Sequence, residues 1–346
     1  MNTATTTRIS AGDWVQRQLG IGMGKLPPSL VKRLVKVPVN ADGEQMAPEI
    51  AMLMSVVAKA PDFSDLSPVE ARAAELKDAA IYGERPLPMN IVEELRLRGG
   101  LAATRYRARA SSAGLIVFFH GGGFVLGSRA VYDGPVRLIA HHTGMDILSV
   151  EYRLAPENPY PAPHNDAMAA WEFAVAHAAE WGVPDGRIVV AGDSAGGNLA
   201  AVLAQKLRDS RVKPALQALI YPVTDLVGSR PSNREFADSP ALTAKQIAWF
   251  TDHYLPPSVE RADPRVSPLF AEDLTGLPPA LVTVAGFDPL RDDGLAFAAK
   301  LTESGVPTQL VREPGLVHGY LSYTALSATS RDAVRRVASA ITSAMA

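Results

Sequence analysis

Gly192-Asp193-Ser194-Ala195-Gly196 stands between two runs that demand different backbones. Before it, Ile188-Val189-Val190-Ala191 is a short apolar, β-branched stretch of the kind that forms a buried strand. After it, Leu199, Ala200, Val202, Leu203 and Leu207 recur at helical spacing among small residues. The chain must therefore turn from strand to helix within a few residues. A G-x-S-x-G turn does this with the serine at its tip and the hydroxyl held clear of the backbone. The glycines matter because a tight, strained turn leaves no room for side chains beside it. Such a serine is a candidate nucleophile, although an ordinary glycine-rich turn carries the same letters.

The strand–turn–helix unit is one of a series. Buried-strand runs recur at 115–119, 146–151, 187–191, 216–221, 280–285 and 308–312. Helical stretches separate them, at about 131–143, 164–180, 196–209, 240–253, 293–304 and 330–344. Two further strands, 91–98 and 101–109, are joined at Gly99-Gly100 as a hairpin. The alternation predicts an α/β fold: a mostly parallel, eight-stranded sheet flanked by helices, antiparallel at its start. Residues 1–85 lack such runs and read as helical. Ser67-Pro68-Val69-Glu70 is a capping box with proline at the first helical position. Ile50, Leu53, Met54 and Val57 fall at i, i+3, i+4 and i+7. The expected organisation is a helical cap over residues 1–85 and a catalytic domain over 86–346. Met46, Met52 and Met54 suit an adaptable apolar lid. The 222–240 stretch reads as a surface excursion bordering the pocket.

Three further segments carry chemistry. His120-Gly121-Gly122-Gly123-Phe124 follows the strand Leu115-Ile116-Val117-Phe118-Phe119. Glycines at a strand end expose backbone N–H groups to a substrate. Two such donors, with the N–H of Ala195 after the serine, would hold the oxyanion of a tetrahedral intermediate. A phosphate-cradling loop fits badly, because no Lys-Ser/Thr follows and the glycine spacing is not G-x-G-x-x-G. His318, before Gly319 and Tyr320, lies in a loop after the last strand pattern. Imidazole, with a typical pKa of ~6.5, is the usual base for a serine hydroxyl. The other downstream or helical histidines (His141, His142, His164, His177 and His253) read as structural. Asp288, in Gly286-Phe287-Asp288-Pro289-Leu290, stands at a strand end and can orient the imidazole. Asp225, Asp292 and Asp293 compete for that role, the last two reading as helix-start residues. The order Ser194, Asp288, His318 is the one expected for an α/β-hydrolase.

Together these motifs, with Tyr152-Arg153-Leu154-Ala155-Pro156-Glu157 and Pro161-Ala162, resemble the bacterial hormone-sensitive-lipase-like (family IV) carboxylesterases. The resemblance spans about residue 85 to the C-terminus. It implies the α/β-hydrolase fold and a catalytic triad of Ser194, Asp288 and His318. It also implies an oxyanion hole of Gly122, Gly123 and Ala195, and N-terminal helices covering the pocket. Phe124 departs from the tryptophan often found after the three glycines. The implied reaction is hydrolysis of short- to medium-chain esters. Amides, lactones and acetylated compounds are alternative substrates of the same machinery. A non-catalytic receptor on this fold is the other class of reading, and the presence of His318 weighs against it. Arg153, Glu157 and Asp166 are expected either to brace the glycine loop as an ion-pair network or to be ordinary solvated charges.

Composition agrees with a globular enzyme. The chain has 346 residues, 47% of them hydrophobic, and a net charge of −2. Nothing there points to nucleic acid or an anionic surface. Cysteine is absent, which excludes disulfides, thiol catalysis and cysteine-ligated metals. No cofactor and no metal are implied, and the expected partner is a small-molecule ester. Met1 to Arg8 has no apolar segment behind it, and no run approaches the ~18–20 apolar residues of a membrane span. A cytoplasmic location is the expectation. A homodimer through the edge strand at 308–312 is a further one.

Overall fold

Alternate residues of the central strands belong to different cores. Leu115, Val117 and Phe119 pack into one buried cluster, while Ile116 and Phe118 pack into the other. Side chains alternate across a strand, so both faces of the sheet are covered. In the computed structural model, which describes residues 10–345, eight strands form. They are β1 (Ile91–Arg96), β2 (Ala102–Arg107), β3 (Leu115–Phe119), β4 (Asp146–Glu151), β5 (Ile188–Asp193), β6 (Leu216–Ile220), β7 (Ala280–Phe287) and β8 (Thr308–Val317). Their order in the sheet is β1-β2-β4-β3-β5-β6-β7-β8. β1 and β2, and β2 and β4, are antiparallel; all other neighbours are parallel. β1 and β2 are shorter than the sequence implied. Gly99 and Gly100 both take φ near +80°, which curls residues 98–100 out of the extended chain. The segment Met1–Arg8, read from sequence as showing no secretory signal, lies outside the described residues.

Among the described residues four α-helices precede the sheet: α1 (Ala11–Gly24), α2 (Pro28–Leu34), α3 (Pro48–Val57) and α4 (Pro68–Tyr82). The rest are α5 (Arg129–Thr143), α6 (Ala162–His177), α7 (Ala195–Lys206), α8 (Pro231–Glu235), α9 (Ala244–Tyr254), α10 (Arg291–Glu303) and α11 (Ala328–Ala344). Apolar residues of α5 and α11 cover one face of the sheet; those of α6, α7 and α10 cover the other. α4 begins at the capping box read from sequence, Glu70 N donating to Ser67 Oγ and Ser67 N to the Glu70 carboxylate. α3 behaves differently from the lid reading. Its Ile50, Leu53 and Met54 are buried in the same cluster as α5 and α11, and so is Met46. Spacing predicts which helix face is apolar but not what that face meets. Among the described residues no helix is long and apolar enough to cross a membrane.

The strand order reverses between β3, which leads to β4 on one side, and β5, which leads to β6 on the other. In open α/β sheets the crevice at such a switch point, beyond the carboxyl ends of the strands, is where ligands bind. The loop after β3 carries His120–Gly123 and the turn after β5 carries Ser194.

Candidate active site

Ser194 stands between β5 and α7 with φ 52° and ψ −118°. Positive φ in a residue with a side chain costs roughly 1–3 kcal/mol and must be enforced by surroundings. Ser194 N donates to Ile220 O at 2.9 Å, and Val223 N donates to Ser194 O at 3.1 Å, tying the turn to the end of β6. The close packing behind it requires glycine. A Cβ on Gly196 would lie 1.9 Å from Phe119 O, and one on Gly192 would lie 2.4 Å from the Gly196 carbonyl carbon.

β7 and β8 run side by side and deliver the other two residues at their carboxyl ends. His318 Nε2 lies 2.9 Å from Ser194 Oγ, and His318 Nδ1 lies 2.9 Å from Asp288 Oδ2. Asp288 is fully buried, and its Oδ1 accepts from Leu290 N at 2.8 Å. An ionised carboxylate can only accept. Nδ1 therefore carries the hydrogen, and in the neutral ring Nε2 is left to accept from the serine hydroxyl. None of the competing acids bonds to the His318 ring. Asp292 accepts from Ser232 N and Arg291 Nε. Asp225 accepts from Val227 N. Asp293 stands in the first turn of α10 as expected, but is buried beside Asp225. Burial first, and then the Asp225 charge, push its carboxyl well above the usual range.

The glycine loop reaches the same cavity: Gly122 and Gly123 line it together with Ser194 and His318. Ala195 is buried and opens α7, where unpaired N–H groups and the helix dipole favour an anion. Asp193, which the G-x-S-x-G pattern leaves without a role, ties the loop to the serine turn. Its carboxylate accepts from Gly121 N at 2.9 Å, Tyr132 OH at 2.9 Å and Tyr221 OH at 3.2 Å. Complete burial pushes Asp193 up to about 6 against those stabilising hydrogen bonds. Tyr221 in turn presents its ring to His318, 5.0 Å between centroids.

The cavity is about 200 Å³ and its wall is mostly apolar, with Phe250, Ile247, Leu242, Leu226 and Val223 among its lining residues. The 222–240 stretch thus contributes wall, and Thr224, Asp225 and Ser232 within it are buried rather than surface residues. Phe124 stacks on Tyr254, ring centroids 3.8 Å apart. From the described N-terminal residues Phe63 and Glu75 reach the cavity; Met46, Met52 and Met54 do not. Phe63 packs on Trp249 and Phe250 of α9, at 5.7 and 5.3 Å. The expected Arg153–Glu157–Asp166 network divides in two. Arg153 pairs with Asp166, whereas Glu157 turns to Arg72 of α4.

Glu75 had no signal in the sequence. It is an acid in α4, on the cavity wall, that accepts from Gly127 N at 2.8 Å. Burial chiefly, with Asp193 adding, pushes its carboxyl up to about 7. An unfolded glutamate titrates near ~4.3. Between those values the folded state keeps a proton that the unfolded chain has lost, so stability falls as pH rises across this window and the deficit is complete above it. Glu75→Gln removes that ionisation. Its melting temperature relative to the unsubstituted protein is expected to be higher at pH 8 than at pH 5; an equal or smaller difference at pH 8 would contradict this.

Comparison with known proteins agrees with the geometry. Residues 116–322 match the family described as alpha/beta hydrolase fold. The chain is 37% identical to the carboxylic ester hydrolase LipN of Mycobacterium tuberculosis, over 95% of this chain and 93% of that protein. It is 34% identical to an ethyl acetate hydrolase of Pseudomonas putida, over 79% and 91%. Among solved structures, a hyperthermophilic esterase from Pyrobaculum calidifontis superposes with a TM-score of 0.81 at 37% identity, over 87% of this chain and 99% of that one. An ester hydrolase from the Lake Arreo metagenome gives 0.82 at 35%, over 86% and 98%. With an eight-stranded sheet of this order, a serine turn at its switch point and relatives of this kind along its length, the chain belongs to the α/β-hydrolase family, in the branch of hormone-sensitive-lipase-like esterases that its motifs resemble.

Proposed function

We propose that the protein hydrolyses carboxylic esters through an acyl-enzyme on Ser194. The observation that carries this reading is the chain of contacts from Asp288 Oδ2 to His318 Nδ1 and from His318 Nε2 to Ser194 Oγ, each 2.9 Å. Ser194 Oγ attacks the ester carbonyl as His318 Nε2 takes its proton. Asp288 holds the ring in the tautomer that can do so and stabilises the imidazolium that forms. The carbonyl oxygen becomes an oxyanion facing the N–H groups of Gly122, Gly123 and Ala195. Collapse of this intermediate breaks the bond to the alcohol, which leaves with the proton from His318. Water then attacks the acyl-enzyme by the same route, releasing the acid and restoring the serine.

The wall of the cavity supports short- to medium-chain esters as substrates. At about 200 Å³ it is smaller than the ~300–1,000 Å³ of pockets for drug-sized ligands. The described N-terminal residues to 85 act as part of its cover, through Phe63 and Glu75, beside Ile247 and Phe250 of α9; residues 86–346 carry the chemistry. Each acyl methylene buried against Phe250 or Ile247 adds up to ~0.8 kcal/mol until the cavity is full, after which further length gains nothing. Rates for p-nitrophenyl esters from acetate to palmitate, measured against a Ser194→Ala blank, are expected to peak at about four to eight acyl carbons. A maximum at palmitate would overturn the short- to medium-chain reading.

A further inference from the structure

The cover and the oxyanion loop are joined by one turn of α4. Residues i and i+3 of a helix share a face, and here that face carries Arg72 and Glu75. Arg72 Nε donates to Val125 O at 2.7 Å, and its Nη2 donates to Ala155 O at 2.6 Å, while Glu157 pairs with the same guanidinium at 2.7 Å. Glu75 Oε2 accepts from Gly127 N at 2.8 Å. Val125 N and Leu126 N both donate to Gly122 O, at 3.0 and 2.7 Å, so 122–126 is a single tight turn. Its entrance is held by Gly121 N on Asp193 Oδ1 at 2.9 Å. Its exit is held by Gly127 N on Glu75. Gly127 has φ +87° and lies so close to Gly121 O and His120 that no side chain fits there, so the two ends of the turn pack directly on each other.

We propose that Glu75 is a positioning residue for ester hydrolysis: by accepting the Gly127 N–H it fixes the turn that aims the Gly122 and Gly123 N–H groups at the reacting carbonyl oxygen. This rests on the role given above to Ser194 and the glycine loop. What the loop needs is an acceptor at this point, not a negative charge. The burial of Glu75 and its closeness to the Asp193 and Asp78 carboxylates favour the neutral acid, whose carbonyl oxygen still accepts. A side chain in this role acts on the transition state and leaves ground-state binding of the ester nearly unchanged.

Two variants separate the acceptor from the bulk. Glu75→Gln keeps an acceptor oxygen in the same place; Glu75→Met keeps the length and helix propensity without one. Melting temperatures are read first, and Glu75→Ala replaces the methionine variant if that does not fold. The non-accepting variant is expected to lose roughly 10–100-fold in kcat, as a sub-ångström to ångström misplacement of donors would cause. Its KM should stay within about threefold. The rate of covalent modification by a fluorophosphonate, whose phosphoryl oxygen occupies the oxyanion position, should fall in parallel. Glu75→Gln should recover both rates to within about threefold of the unsubstituted enzyme. The proposal is overturned if the non-accepting variant keeps the full kcat, if the loss lies in KM alone, or if the glutamine variant is as slow as the methionine one. The unsubstituted enzyme is the control for the underlying reading. If it does not react with the fluorophosphonate at Ser194, the assignment of the nucleophile fails; if it does, and Glu75→Met reacts equally fast, the positioning role alone fails.

Discussion

Ser194→Ala is expected to lower kcat for a chromogenic ester by on the order of 10⁴–10⁶, and Ser194→Ala/His318→Ala to be hardly worse than either single change. The reason is geometric. Ser194 Oγ, His318 and Asp288 form one hydrogen-bonded chain in which the proton moves only from Oγ to Nε2, and that transfer is lost once either the hydroxyl or the imidazole is missing. Groups that act as a unit give non-additive losses. Steady-state kinetics of the three variants, on protein shown by circular dichroism to be folded, provides the check. Multiplied losses in the double variant would show that the two residues act separately.

Asp288→Asn is expected to cost on the order of 10⁴ in kcat with little change in KM. The amide can donate a hydrogen bond to Nδ1, which moves the ring proton to Nε2 and leaves no acceptor for the serine hydroxyl. The carboxylate is fully buried, with Leu290 N and His318 as its hydrogen-bond partners. Asp292→Asn is the control: its carboxylate bonds to Ser232 N and Arg291, and turnover should stay within about tenfold. A severe loss at Asp292 together with a mild one at Asp288 would reverse the assignment of the acid.

Much of this arrangement is legible in the chain before it is folded. The elbow is legible because strand and helix impose different periods on either side of a turn whose glycines have no alternative. The strands are legible because burial on both faces leaves continuous apolar runs, such as Leu115–Phe119 and Ala280–Val284. Strand ends then place Ser194, Asp288 and His318 on the same rim of the sheet, which is why three residues far apart in sequence could be grouped. The roles of the helices before the sheet were less legible. Ile50, Leu53 and Met54 show a face that is apolar, and only the fold decides that it meets the α5 and α11 side of the sheet and not the cavity. Phe63 and Glu75 follow the same logic in reverse. Neither belongs to a periodic pattern, because each is defined by what a distant loop brings to it: Phe250 from α9 in one case, Gly127 in the other. Asp193 stood inside the best motif of the chain and was still missed. A pentapeptide pattern describes the turn and carries no information about the tyrosines, Tyr132 and Tyr221, that approach from elsewhere.

The central claim is a covalent acyl group on one serine, and acid-quenched reactions analysed by peptide mass spectrometry test it most directly. With p-nitrophenyl acetate in excess, the predicted result is an acetyl group on the peptide bearing Ser194 during turnover, its loss once substrate is exhausted, and its absence in Ser194→Ala. Steady release of p-nitrophenol with Ser194 unmodified, or with the acetyl group carried by a different residue, would contradict the account.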